Sequence, residues 1–350
     1  MRSFGSDNNS GVHPSIMKAL IDANNDHAIA YGDDEWTNKA VEAVKRSIGV
    51  EDIEDIGNDI EPLFIFNGTG ANVVALQACT SPFHSILCAA TAHIAVDECG
   101  APVKFSGASL KEIYTPDGKL TPELVKPHLH GFGVEHHSQP KVIAISQSTE
   151  LGTVYTPEEI KALSDLAHEH DMYLFVDGTR ITNACAYLGV ELQDITIDCG
   201  VDIFTLGGTK NGLMFGEVLV PLRKELSVNL RYYRKQTTQL YSKMRYISAQ
   251  FIPYLNDRIW LENAKNSNKA AQKLVTAMRE IKGIEITQKV ESNSVFFILP
   301  KDITDKLREN YFFYDWDVSR NEMRLVCSWD TTDKDVLDFT QQLKMITLDR

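Results

Sequence analysis

Three short stretches of this chain combine residue types that could do chemistry. The first is Asn67-Gly68-Thr69-Gly70-Ala71-Asn72. Its glycines let the backbone come close to an anion, and a helix that begins there offers free N–H groups and the positive end of its dipole. No Lys follows in a GK[ST] arrangement and the spacing is not GxGxxG, so neither nucleotide loop is present. The same residues also suit an ordinary glycine-rich turn. The second stretch is Asp177-Gly178-Thr179-Arg180. Its carboxylate could pair with a protonated ring nitrogen or a metal, or simply cap the next helix. The third is Gly207-Gly208-Thr209-Lys210-Asn211-Gly212. A Lys among small residues is either a surface lysine or an amine aimed into a cleft, where burial lowers its pKa and frees it to form a Schiff base.

Other reactive types are less organised. His128, His130, His136, His137, His168 and His170 are numerous, but their pairs lack the i, i+4 spacing of a helical zinc site, and no metal is expected. The six cysteines are scattered without a CxxC pair, which suits reduced thiols rather than a disulfide framework. Lys plus Arg is 35 against 48 for Asp plus Glu, a net charge of −13, which argues against nucleic-acid or anionic-membrane partners. The longest uncharged stretch, 62–96, is broken by Asn67-Gly68-Thr69-Gly70, Gln77 and Thr80-Ser81-Pro82, and the part beyond Pro82 is shorter than the roughly 18 residues of a membrane span. The start, MRSFGSDNNSG, lacks an apolar signal core, so a cytoplasmic location is expected.

The elements that must position these residues alternate. Helices are expected over 14–24, over 38–48 with Thr37 as N-cap, after Asn67, and over 157–170 behind Thr156-Pro157-Glu158-Glu159. Strands are expected at 62–66, 85–90, 101–106, 141–146, 172–177, 201–206 and 215–220. MYLFVD (172–177) is almost continuously apolar, as a sheet covered on both faces requires. All three chemical stretches then fall at the carboxyl ends of strands, where open α/β sheets place their ligands. After Pro253 the pattern changes to a long helix (255–281), the runs IEIT and SVFFIL, a short helix (302–310), MRLVCS and a last helix (332–346). Residues 1–13 read as an N-terminal arm, 14–254 as a large domain and 255–350 as a small α+β domain.

A phosphate cradle, then a strand-end Asp, then a Lys some thirty residues later is the order used by fold-type I pyridoxal-phosphate enzymes. The whole chain resembles one family of them, the L-threonine aldolases, which group with the β-eliminating lyases. The matching stretches run in order: SDNNSGVHPSIMKAL, YGDD, NGTGAN, AHIAVDECGA, TPDGKL, VDGTRITNA, GGTKNG, RKQ…SKMR and MRLVCSWDTT. Behind the strand KVIAIS the family pattern is replaced by QSTELG (147–152), and the family's SKG around the lysine reads TKN.

The resemblance implies a three-layer α/β/α large domain with a mostly parallel sheet and a smaller α+β C-terminal domain. It implies pyridoxal 5′-phosphate as cofactor and cleavage of L-threonine or L-allo-threonine to glycine and an aldehyde. By position, Lys210 resembles the Schiff-base lysine and Asp177 the partner of the pyridine nitrogen. Gly68 and Thr69 resemble phosphate ligands, and His93 the histidine stacked on the cofactor ring. Arg180 and Arg324 resemble the pair that holds the ring hydroxyl and the substrate carboxylate, and Ser6 a substrate-contacting serine. Tyr31 and Arg245 resemble residues that serve the neighbouring subunit's site, so a homo-oligomer, a dimer or dimer of dimers, is implied. His137 resembles an active-site histidine, which leaves His93, His137 or an ordered water as the proton acceptor. The same Lys, Asp and phosphate site would also serve β-elimination, transamination or racemisation. A non-catalytic small-molecule binder is the rival from outside enzymes.

Overall fold

The computed structural model describes residues 2–50 and 60–348. Its larger sheet has seven strands: β1 (Leu63–Ile65), β2 (His84–Ala89), β3 (Ser109–Ile113), β4 (Gln139–Ser146), β5 (Tyr173–Asp177), β6 (Ile203–Gly207) and β7 (Glu217–Pro221). They lie in the order β1-β7-β6-β5-β4-β2-β3. Every pairing among β2 to β6 is parallel, and β7 alone runs against both its neighbours. Strands β6 and β7 are buried along their whole length, as a sheet with helices on both faces demands. The smaller sheet is antiparallel: β8 (Glu285–Ile286), β9 (Ser294–Ile298), β10 (Tyr314–Asp317) and β11 (Glu322–Val326), in the order β10-β11-β9-β8.

Each sheet has its own apolar core. One gathers side chains from Ile16 to Trp260, the other gathers Phe4 and side chains from Ala270 to Leu343. The helix Ile259–Arg279 spans the two, giving Ile259 and Trp260 to the first and Ala270 to Met278 to the second. The N-terminal arm crosses in the other direction. Phe4 donates its N–H to the Phe312 carbonyl, its own carbonyl accepts from Val326, and its ring packs on Phe339.

Several local expectations are corrected. Residues Ala101–Ser106 form a helix, not a strand. Pro102 suits a helix's first turn, and left-handed Gly100 and Gly107 bracket it; a Cβ on Gly107 would lie 2.9 Å from Pro82. The sheet strand lies just beyond, at β3. The helix expected from 38 begins at Glu35 with Asp34 as its N-cap. Asp34 Oδ1 accepts from Thr37 N–H at 2.9 Å, while the Thr37 hydroxyl serves Asp34 Oδ2 and Ser248 instead. The long helix expected over 255–281 is found as Ile259–Arg279, and ahead of it lies a further helix, Arg245–Asn256, separated from it where Arg258 takes a φ of +55°. Strand β10 was not anticipated; its YDWD alternation is only four residues long, with the first two residues exposed and the last two half-buried.

Among the described residues, no helix is long and apolar enough to cross a membrane.

Candidate active site

The parallel strands end on one edge, and five chain segments leave that edge together. After β1 the chain turns through Asn67 into the helix Gly68–Cys79. Asn67 caps it by accepting from Gly70 N–H at 2.8 Å, which leaves the amides of Gly68 and Thr69 facing an open cavity. A Cβ on Gly70 would lie 2.2 Å from the Gln239 amide, so any side chain there would displace Gln239 from its bond to Phe66 N–H. After β2 comes His93, after β4 come Ser148 and Glu150, and after β5 come Thr179 and Arg180. After β6 comes Lys210. Strand β7 runs the other way, so its first residue, Glu217, meets the same edge opposite Gly207 and Ile65. The cavity they enclose measures about 320 Å³, within the range of small-molecule sites.

Strands β5 and β6 must approach closely for this. A Cβ on Gly178 would lie 1.9 Å from the Thr205 carbonyl oxygen, and one on Gly207 would lie 2.1 Å from that of Thr179. Glycine at both positions is therefore a condition of bringing Asp177 and Lys210 to one cavity.

Asp177 is 7% exposed and its carboxylate is held at both oxygens by neutral donors. The Thr179 N–H and hydroxyl donate to Oδ1 at 3.0 and 2.7 Å, and Asn72 donates to Oδ2 at 2.9 Å. Asn72 also donates to Glu98 Oε1, which pairs with His93 Nδ1 at 2.9 Å. One amide thus joins the Asp177 carboxylate to the His93 imidazole. The Glu98 hydrogen bond raises the His93 pKa against the opposing effect of burial.

Lys210 lines the cavity, and among the described residues no carboxylate lies within ion-pair distance of it. Burial lowers its pKa, and the Arg180 guanidinium lowers it further. The amine is thereby moved toward its neutral, nucleophilic form. Glu217 accepts from Gly208 N–H at 2.9 Å, and burial pushes its carboxyl up to about 7.

Arg180 is clamped by Asp7, which reaches over from the N-terminal arm. Nε and Nη2 donate to Asp7 Oδ2 and Oδ1 at 2.8 and 2.9 Å. Burial is the largest influence and opposes ionisation of Asp7, but Arg180, Lys210 and Asn293 together outweigh it and hold the carboxyl below its ordinary value. Asn293 donates to the same carboxylate at 3.0 Å. Arg324 lies behind this pair, its guanidinium 5.1 Å from the Trp316 ring centroid and its buried Nε without a hydrogen-bond partner. Burial and the Arg180 charge lower its pKa, and among the described residues no carboxylate pairs with it. A buried, unpaired guanidinium is costly unless an anion arrives to meet it.

The cavity therefore gathers Gly68, Thr69, His93, Asp177, Arg180 and Lys210, with Arg324 just behind. Others fall elsewhere. Ser6 caps the short turn Asp7–Asn9, and its neighbour Asn8 lines the cavity instead. Tyr31 is half exposed at a φ of +67°, tied by its N–H to the Ser242 carbonyl. Arg245 donates to the carbonyls of Asn25 and Asp26 in a separate cavity. His137 lies in another cavity with His128, His130, His136 and Lys111, away from Lys210. The structure does not bring it to the site. Among the described residues, no group of His, Cys, Asp and Glu is arranged to hold a metal. Asp7, Asn72, Glu98, Glu150 and Glu217 were not singled out beforehand. Four of them lie inside stretches already marked as informative, but nothing in their spacing says which would turn inward.

A family model for beta-eliminating lyases matches residues 3–301. The chain belongs to the beta-eliminating lyase family. Within that family it is 37% identical over 347 residues to the low specificity L-threonine aldolase of Pseudomonas aeruginosa, covering 99% of this chain and 98% of that one. The threonine aldolase structure from Leishmania major superposes with a TM-score of 0.92 at 30% identity, covering 99% of this chain and all of the other. The aspartate aminotransferase of Thermus thermophilus has a TM-score of 0.71 at 16% identity over 98% of this chain and 90% of the other. That likeness places this member of the family in the fold-type I architecture and carries nothing about its reaction.

Proposed function

We propose that this chain is a pyridoxal-phosphate-dependent lyase that cleaves L-threonine, L-allo-threonine and related β-hydroxy-α-amino acids to glycine and an aldehyde. The observation that carries the reading is the convergence of three distant motifs, the 67–70 turn, Asp177 and Lys210, on one cavity. Likeness along the whole chain to threonine aldolases chooses this reaction among those the cavity could support.

The residues present fit the cofactor. The free amides at the start of the helix Gly68–Cys79 suit a phosphate. Lys210 supplies an amine of lowered pKa for the aldehyde. Asp177, held by neutral donors, supplies a carboxylate to keep a ring nitrogen protonated. His93, fixed through Glu98, is assigned to the ring face. When bound, the cofactor supplies the electron sink that Cα–Cβ cleavage needs. The protein holds the substrate: Arg324, unpaired, takes its carboxylate in a guanidinium fork, beside Arg180 oriented by Asp7.

Tyr31 and Arg245 do not reach the cavity of their own chain, which supports a homo-oligomer in which they serve a neighbour. Phe66, Phe215 and Tyr241 form an aromatic cluster at the cavity rim, and Phe66 and Tyr241 remain exposed there. Exposed apolar groups continuous with a site suit a partner surface.

The deciding assay compares acetaldehyde released from threonine with keto acid released from serine or cysteine by the holoenzyme. Keto acid without acetaldehyde would replace the aldolase reading with β-elimination.

A further inference from the structure

The cavity contains a carboxyl group that the reading above does not use. Glu150 follows β4 in the QSTELG stretch and lies on the wall shared with His93, Asp177, Arg180 and Lys210. Two donors hold it, and both bind the same oxygen: the Ser146 hydroxyl donates to Oε1 at 2.6 Å and the His93 backbone N–H at 2.9 Å. Among the described residues, no donor reaches Oε2. No Lys, Arg or His there forms an ion pair with Glu150. A half-buried carboxylate with no salt bridge, the nearby Arg180 being committed to Asp7, has little structural return for its desolvation. Such groups concentrate where a proton must move.

We propose that Glu150 Oε2 accepts the β-hydroxyl proton of the amino-acid substrate as its Cα–Cβ bond breaks. The inference rests on the aldolase reading. The hydroxyl proton passes to Oε2, and the O–H electron pair becomes the second bond of the aldehyde carbonyl. The Cα–Cβ pair stays at Cα, which gains a proton to give glycine, and Glu150 gives up the proton it took. One amino acid enters, and glycine and one aldehyde leave, with no proton gained or lost overall.

The environment suits the task. Burial raises the Glu150 pKa, the bonds from Ser146 and His93 oppose that rise, and the Asp177 charge adds to it. Arg180, Tyr155 and Cys88 also sense the Glu150 charge from their own elements. A carboxylate of raised pKa is a stronger base than an exposed one. The competing side chains are less suited. His137 belongs to another cavity, and His93 has Nδ1 tied to Glu98 and a raised pKa that favours its protonated form.

E150Q keeps an oxygen for Ser146 and the His93 N–H and removes the base. In the holoenzyme it is expected to slow threonine cleavage by about 10²-fold or more, the scale of general base catalysis. Exchange of the glycine α-proton, which involves no hydroxyl, is expected to stay near the wild-type rate. A second measurement needs neither cofactor nor turnover. Infrared titration of the cofactor-free protein should show a carboxyl C=O band that persists above the ordinary glutamate range and is absent from E150Q. The acid limb of the wild-type threonine profile should fall where that band titrates, and glycine exchange should lack it. Wild-type-like cleavage by E150Q would overturn the proposal alone and leave His93 or water as the acceptor. Equal losses in cleavage and exchange would also overturn it, reducing Glu150 to a residue that shapes the wall. Failure of the wild-type holoenzyme to cleave threonine at all would remove the aldolase reading, and this proposal with it.

Discussion

At the scale of single residues, the site works through pairs whose charges are set by burial. Lys210 has no ion-pair partner among the described residues and a lowered pKa, so its amine is nucleophilic closer to neutrality than an exposed lysine would be. Lys210→Ala should leave the fold intact, because the residue sits in a turn beyond β6. It should abolish the borohydride-reducible link between protein and cofactor, read by mass spectrometry; a surviving link would move the assignment to another lysine. The His93–Glu98 pair gives a pH prediction. The folded His93 pKa lies above the ordinary histidine value of 6.5. A raised folded pKa adds stability that is fully present below 6.5 and is lost as pH rises through the folded value. Glu98→Gln should return the His93 titration, followed by NMR, toward or below 6.5. It should also flatten that part of the stability profile. An unchanged His93 titration would show that the carboxylate is not its cause.

At the scale of elements, the site depends on how closely β5 and β6 approach. Gly178 and Gly207 face carbonyl oxygens at distances no Cβ tolerates. Backbone cannot swing aside as a flexible side chain can, so Gly178→Ala must push the two strand ends apart. The expected cost is about 1–3 kcal/mol, the range for overpacking a filled interior, seen as a lower urea midpoint. Because the shift separates Asp177 from the Lys210 turn, cofactor affinity should fall with it. A variant as stable as wild type with unchanged cofactor binding would show that the strand ends have slack. The helix Pro157–Glu169 shows the opposite case, an element specified locally. Thr156 and Glu159 form a full capping box around Pro157, and that start was legible without any tertiary contact.

At the scale of the whole molecule, the N-terminal arm joins the two cores. Phe4 is buried in the smaller one, and three residues later Asp7 clamps Arg180 at the edge of the larger sheet. The cavity-lining Arg180 guanidinium is thus oriented by a segment remote from it in sequence. The rim of the same cavity carries exposed Phe66, with exposed Tyr241 packed on its ring, and Tyr31 lies outside it. The protein is expected to be a dimer or a dimer of dimers in light scattering, with mixed Tyr31 and Lys210 variants regaining activity when co-assembled. A fully active monomer would contradict the assignment of Tyr31 and Arg245 to a neighbour's site.

The sequence alone determined the alternation of strands and helices and the sheet edge that brings the 67–70 turn, Asp177 and Lys210 to one cavity. Those follow from local chemistry: apolar runs, capping residues, and glycines ahead of a helix. It misplaced 101–106, because a six-residue apolar stretch suits either element and only the flanking left-handed glycines with Pro102 decide for helix. It did not rank the histidines: His93 follows the carboxyl end of β2, whereas His137 precedes β4 and so falls at that strand's amino end, in a different cavity. Nor could it reveal Glu98, Glu150 or Asp7, since a carboxylate's role depends on what faces it across the fold. Those partners lie 26 residues from Glu98 at Asn72, 57 from Glu150 at His93, and 173 from Asp7 at Arg180, distances that only packing closes.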